Sequence, residues 1–227
     1  MFTLASRCWL CQQPLQLAKH GICSLCLRQL PIIPVCCPCC GLPSGDAGQA
    51  CGRCQLKPPG WQALIFAQLY QPPISTLLLR FKFSSVPELA VPLARLFLMR
   101  WLERWREGSV VRPQILLSIP LHLRRYRQRG YNQSDLLAHP LARWLGCEYF
   151  PAALQRQRAT PPQQQLSERE RKRNLQRAFC CTQRLAGKHI ALIDDVITTG
   201  STISEVAKIL NKEDIASLQI WCICRTL

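Results

Sequence analysis

Two things are scarce in this 227-residue sequence: acidic side chains and uninterrupted apolar runs. Asp and Glu number 13 against 29 Lys and Arg, a formal net charge of +16. That imbalance favours polyanionic partners such as nucleic acid, pyrophosphates or anionic lipid surfaces, with a solvated basic surface as the plain alternative. The surplus is uneven. Residues 120–178 hold 12 basic and 4 acidic side chains, so +8 of the +16 falls in that one segment. No apolar stretch approaches the roughly 20 residues of a membrane span, although a hydrophobic content of 48% permits a real core. Arg7 and Cys8 interrupt residues 1–9, where a secretory leader needs continuous apolar residues. The expectation is a cytoplasmic protein without a membrane span.

Cysteine is abundant instead, and it is clustered. Ten of the 15 cysteines fall between Cys8 and Cys54. Eight of them form Cys-x-x-Cys pairs: Cys8/Cys11, Cys23/Cys26, Cys37/Cys40 and Cys51/Cys54. A two-residue gap turns both thiolates of a knuckle toward one ion, and two knuckles complete a closed, structural four-cysteine shell. Eight ligands imply two Zn²⁺ ions, or one with a degenerate second site. Cys36 and Cys39 make the third knuckle ambiguous; Cys37 and Cys40 are preferred because Gly41 then follows where a tight turn is needed. Sequential pairing of knuckles is the simplest arrangement, and spacing leaves an interleaved one open. Disulfides fit a cytosolic chain less well, and no thioredoxin-like strand-helix context surrounds any pair. Lys57-Pro58-Pro59-Gly60 reads as a linker, dividing a cysteine-rich zinc module (1–57) from a second domain (58–227).

In the second domain, patterning predicts strands over 61–69 (alternating), 115–119, 148–154, 189–193 and 215–224. Helices are expected over 73–83, 87–106 (broken or kinked near Pro92) and 132–145. Strands alternating with helices predict a doubly wound parallel sheet with helices on both faces. Trp101 and Trp105, four apart beside Leu98 and Leu102, suit a core stripe better than a base-stacking platform.

The most informative run is Ile190-Ala191-Leu192-Ile193-Asp194-Asp195-Val196-Ile197-Thr198-Thr199-Gly200-Ser201-Thr202. Four apolar residues read as a buried strand, and a helix-forming stretch, 203–210, follows the small residues. The loop's backbone N–H groups and the helix N-terminus form a phosphate pocket. The two carboxylates suit sugar hydroxyls and Mg²⁺. An ordinary strand-turn-helix junction with Asp and Thr as caps is the bland alternative. The run resembles the phosphoribosyl pyrophosphate (PRPP) signature of type I phosphoribosyltransferases, in full. That resemblance implies Asp195 and Asp194 on the ribose 2′- and 3′-hydroxyls, with Ile197, Thr198, Thr199, Gly200, Ser201 and Thr202 taking the 5′-phosphate of PRPP–Mg²⁺.

Two basic stretches lie on expected loops. In the first, Arg124, Arg125, Arg127 and Arg129 leave the end of a strand where a pyrophosphate-binding loop would fall. Their guanidinium forks suit pyrophosphate or a DNA backbone equally. Tyr126 and Tyr131 offer base stacking, or simply pack under the loop. His122 on a loop is more often neither acid nor base. The second stretch, 156–177, reads as a lid running into a short basic helix, or as an exposed connection.

The knuckles, the stretch from Ile119-Pro120-Leu121 to Arg129-Gly130-Tyr131-Asn132-Gln133, Thr160-Pro161-Pro162-Gln163, Asn174 with Ala178-Phe179, and the PRPP signature occur in order. Together they resemble the ComF/GntX family over nearly the whole chain. The resemblance implies a cytosolic role in handling imported single-stranded DNA, for transformation or as nutrient, and admits DNA-uptake or helicase machinery as partners. It leaves three readings of the second domain. One is a DNA-handling protein that also binds PRPP–Mg²⁺. Another is an active phosphoribosyltransferase, though no base-binding hood is recognisable. The last is a PRPP sensor without turnover.

Overall fold

The computed structural model describes residues 7–156 and 178–227. The expected lid, with Thr160-Pro161-Pro162-Gln163, Asn174 and the basic run 169–173, lies outside the described residues. In chain order the strands are β1 (Ala63–Leu69), β2 (Ile115–Ser118), β3 (Glu148–Tyr149), β4 (Leu154–Arg156), β5 (Phe179–Cys181), β6 (His189–Ile197) and β7 (Ser217–Arg225). The helices are α1 (Ser24–Arg28), α2 (Gly52–Leu56), α3 (Ile74–Phe83), α4 (Ala90–Arg106), α5 (Leu123–Arg129), α6 (Gln133–Leu145) and α7 (Ser201–Leu210).

Five strands form a parallel sheet in the order β1-β7-β6-β2-β3. Both faces are covered, as a parallel sheet requires. One face packs α3, α4 and α6 around Phe81, Phe97, Trp101 and Trp221; Leu210, Ile203 and Val206 of α7 close the other with Phe179 of β5. Trp101 is the core residue its spacing predicts, donating from Nε1 to Gln219 Oε1 at 3.3 Å, whereas Trp105 stacks outside it, half exposed.

Four expectations need correction. The first strand does not alternate: all of β1 is buried. It lies at the sheet edge, and the cysteine segment covers it, with Leu64 N donating to Pro38 O at 2.8 Å. Gln68, the polar exception, is satisfied by Pro31 O and by Leu69 N. Pro92 causes no break, because a 3-10 turn (Pro87–Leu89) precedes α4 and leaves Pro92 in the first helical turn, where its missing N–H has no intrahelical role. The expected strand over 148–154 divides into β3, paired with β2, and β4, paired antiparallel with β5; Pro151 lies between them and supplies no ladder donor. The basic stretch is α5, not a loop, begun by His122 whose Nδ1 accepts from Arg124 N and ended by left-handed Gly130.

Against α4 the segment of the first cysteine tetrad approaches so closely that Gly21 has no room for a side chain. Its φ is +67°, and a Cβ there would lie 2.1 Å from Pro92 Cγ. Gly21→Ala should cost about 2 kcal/mol or more and lower the thermal midpoint by roughly 5 °C, read by calorimetry on the full chain. Gly52→Ala, with nothing within 4 Å of the added Cβ, should leave the midpoint nearly unchanged.

Candidate functional site

From β2 the chain moves outward to β3 at one edge; from β6 it moves the opposite way, to β7. The reversal opens a crevice at the carboxyl ends of β2 and β6, the place where such sheets bind ligands. Strand β6 runs to Ile197, longer than expected, because pairing with β7 continues through Asp194–Cys222, Val196–Cys224 and Ile197–Arg225. The two acids are therefore fixed on a strand end, not carried on a loop.

Asp194 Oδ1 accepts from Ser134 Oγ at 3.1 Å and from the Asp195 backbone N–H at 2.8 Å. Burial, reinforced by the neighbouring Asp195 charge, pushes its carboxyl up to about 7 against the opposing pull of Lys82. Asp195, only 8% exposed, pairs with Lys82 Nζ at 3.0 Å. Arg129 completes the charge arrangement: burial lowers its affinity for the proton while Asp195 and Asp194 oppose that loss. Its guanidinium lies 4.9 Å from the Phe83 ring and donates to Gln133 Oε1 at 2.9 Å. Gln133 is 1% exposed, and its Nε2 has no hydrogen-bond partner among the described residues.

Beyond the acids, Thr198 and Thr199 are exposed and Gly200 adopts φ +75° at the N-cap of α7, without a side-chain cap bond. Gly200 has no side chain to cap α7, and the one side-chain acceptor of its first amide among the described residues is Thr199 Oγ1, 3.5 Å from Ser201 N, so the helix start is open to an anion. Thr199 Oγ1 and Ser201 Oγ lie 2.9 Å apart. Thr202 stands in the first turn of α7.

Of the basic strip, Arg129 is the arginine whose charge the two acids are seen to influence among the described residues. Arg124 and Arg127 are exposed on α5, and Arg125 is half-buried near Arg156 and His122. Tyr126 is 47% exposed, whereas Tyr131 is tucked under, its ring against Phe81 and its hydroxyl donating to the Phe81 carbonyl. Packing, not an open stacking face, is what the structure gives Tyr131. Sequence reasoning does not single out Lys82, Ser134 or Gln133 as site residues. Lys82 looks like an ordinary polar helix position, and only the parallel topology brings α3 to the end of β6.

The cysteines gather into two tetrads, Cys8/Cys11/Cys23/Cys26 and Cys37/Cys40/Cys51/Cys54, with Sγ atoms within 4.8 Å of one another. Pairing is sequential, and Cys36 and Cys39 stand outside. The Cys11–Cys23 and Cys40–Cys51 sulfur separations are both 3.8 Å, the edge of a tetrahedron with metal–sulfur bonds of about 2.3 Å. Burial pushes the Cys8 and Cys37 thiols up, but backbone N–H groups outweigh it and bring each down to about 6. Among those donors are Cys23 N to Cys8 Sγ at 3.3 Å and Cys51 N to Cys37 Sγ at 3.2 Å. Burial and neighbouring thiols push Cys26 and Cys54 the other way. Four sulfur donors at tetrahedral spacing fit structural zinc.

A profile of the phosphoribosyl transferase domain matches residues 133–227. The DNA utilization protein YhgH of Salmonella typhi is 46% identical over 227 residues, spanning all of both chains. Competence protein F of Haemophilus influenzae is 35% identical over 222 residues, 96% of each chain. Among solved structures, adenine phosphoribosyltransferase from Saccharomyces cerevisiae covers 64% of this chain and 72% of its own at 16% identity and a TM-score of 0.41. Among the described residues no helix is long and apolar enough to cross a membrane.

The purified chain should carry two zinc equivalents by plasma mass spectrometry. Cys37→Ser should hold one, and Cys36→Ser should keep two; a loss on Cys36→Ser would reassign the second tetrad.

Proposed function

The chain belongs to the ComF/GntX family, and from that membership and the crevice geometry we propose that it is a cytoplasmic DNA-handling protein. On this reading it binds single-stranded DNA and PRPP–Mg²⁺, serving the use of imported DNA as nutrient or in transformation. The observation that carries the reading is the site's division of charge. Two carboxylates at the end of β6 share the crevice with two cations, Lys82 and Arg129, beside the N-terminus of α7, whose N-cap residue is a glycine.

A phosphorylated ribose matches that division. Its hydroxyls donate to Asp194 and Asp195, its 5′-phosphate takes the N–H groups of the 197–202 loop, and a pyrophosphate lies against Arg129 and Lys82. Lys82 holds Asp195 in one orientation until the ligand supplies hydroxyl donors, which frees the ammonium for phosphate oxygens. Gln133 Nε2, buried without a partner among the described residues, supplies a further donor. The all-oxygen donor set of Asp194 and Asp195 fits Mg²⁺, which when bound would neutralise pyrophosphate oxygens. Exposed Arg124, Arg127 and Tyr126 on α5 border this crevice and suit a strand backbone and a stacked base. Lys82 and Arg129 at the pyrophosphate end favour a second reading, in which PRPP is turned over by phosphoribosyl transfer to a nucleobase. Zinc in both tetrads, and DNA-uptake or helicase machinery as partners, complete the proposal.

Fluorescence anisotropy of a labelled single-stranded oligonucleotide, with and without PRPP–Mg²⁺, tests it. Affinity should fall steeply with salt and weaken when PRPP is added. No binding at moderate salt would remove the DNA reading and leave the transferase, for which pyrophosphate release with each common nucleobase is the assay.

Asp194 sets a pH dependence. Because its folded pKa is raised, ionisation costs stability as pH climbs from the ordinary carboxylate range to about 7. A ligand that needs the carboxylate must supply that cost below pH 7. PRPP–Mg²⁺ affinity should therefore rise about ten-fold from pH 6 to pH 8 and then level, with proton release visible in calorimetry. Asp194→Asn removes this increment and leaves only the ligand's own titration; an unchanged slope would contradict the assignment.

A further inference from the structure

Arg225, the last residue of β7, is 6% exposed, and its side-chain hydrogen bonds among the described residues all go to main-chain carbonyls. Its Nε donates to Cys40 O at 3.0 Å. Its Nη1 donates to Ile197 O at 3.1 Å, to Thr226 O at 2.6 Å and to Thr198 O. One guanidinium thus joins a carbonyl of the second cysteine tetrad to two carbonyls of the turn that leaves β6.

The orientation of those carbonyls matters more than their number. In a trans peptide the C=O and the following N–H point in opposite directions. With the Ile197 and Thr198 carbonyls turned toward Arg225, the N–H groups of Thr198 and Thr199 turn away from it. Both threonines are exposed, so these donors face the open side of the loop. The buried cation also adds positive potential beneath it.

We infer that Arg225 is a positioning residue for 5′-phosphate binding, and that it makes the second tetrad, Cys37/Cys40/Cys51/Cys54, part of the phosphate site. The tetrad holds the Cys40 carbonyl in place; Arg225, anchored there, holds the Thr198 carbonyl and shares the Ile197 carbonyl with Thr226 N at 3.0 Å, and so aims the Thr199 amide, and with Thr226 the Thr198 amide, at the phosphate. Metal in the second tetrad then governs affinity for a phosphorylated sugar, while the Arg129 and Lys82 end of the crevice is independent of it. This inference rests on the phosphoribosyl reading of the site.

The test compares two probes by calorimetry: ribose 5-phosphate, which needs the loop, and magnesium pyrophosphate, which needs the cationic end. In Arg225→Lys, which keeps the charge but loses the fork, ribose 5-phosphate should bind roughly ten-fold more weakly or worse. Pyrophosphate affinity should stay within about two-fold, a split that general destabilisation does not produce. Cys37→Ser should show the same split, and Cys36→Ser should not, so the test survives if Arg225→Lys fails to fold. Wild-type affinity for ribose 5-phosphate in Arg225→Lys, an equal loss of both probes in a folded variant, or no split in Cys37→Ser overturns the inference alone. If the wild-type chain binds no ribose 5-phosphate, the phosphoribosyl reading itself fails and takes the inference with it.

Discussion

An edge strand that is buried on both faces is the constraint on which the rest of this molecule depends. β1 begins the sheet, yet its sequence, Ala-Leu-Ile-Phe-Ala-Gln-Leu, has no solvent face to give away. A parallel sheet offers unpaired backbone groups at such an edge, and something has to cover them. The cysteine segment does so. Pro38 and Pro31 supply carbonyls to Leu64 N and Gln68, and Trp61 Nε1 donates to Cys39 O at 2.7 Å. A segment built on two cysteine tetrads that fit zinc is well suited to this, because a metal-bound module would hold its shape without a core of its own.

The acid pair follows from the next two strands inward. Adjacent carboxylates on one strand end repel each other and lose hydration, which is why Asp194 holds its proton so firmly. The surrounding structure compensates each acid differently. Asp195 receives a full charge from Lys82, and Asp194 receives a hydroxyl and a backbone N–H. Such asymmetry separates two chemically identical groups: Asp195 has a cation beside it, while Asp194 is poised near neutrality. Ser134 and Gln133, at the start of α6, serve the site from a helix whose own N-terminus is capped by Asn132, its Oδ1 accepting from Ser134 N. Asn132 also donates to the Ile119 carbonyl, tying that helix to the end of β2.

Much of this was legible beforehand, and the gaps have physical causes. The parallel sheet showed in the apolar runs because strands buried on both faces carry no alternation. Both tetrads showed in the two-residue gaps, down to the choice of Cys37 and Cys40 over Cys36 and Cys39. The false alternation in β1 arose because Gln68 is polar yet buried, its amide N–H satisfied by Pro31, 37 residues away. The arginine strip read as loop because the clustered charges of 124–129 mask a short helix whose evidence is its caps, His122 and Gly130. Lys82 and Arg225 carried no signal at all. Each acts across the sheet, and the sequence separations from Asp195 and Cys40 exceed any local motif.

The two tetrads, so alike in spacing, sit in unlike places. The first packs on α4, where Cys8 and Ile22 join the core beside Leu93 and Phe97 and Arg80 lies over Trp9. The second sits over β1 and reaches β7 through Arg225, within one side chain of the turn after β6. A duplicated knuckle therefore does two jobs. Removing order from the first loosens the helical face, which the site touches through α3 and α6. Removing order from the second releases a buried guanidinium from one of its carbonyls, and a buried cation short of partners does not stay where it was. The carbonyls of the turn after β6 are what such a cation holds, and on the inference drawn from Arg225 the second tetrad and the crevice are one mechanical unit.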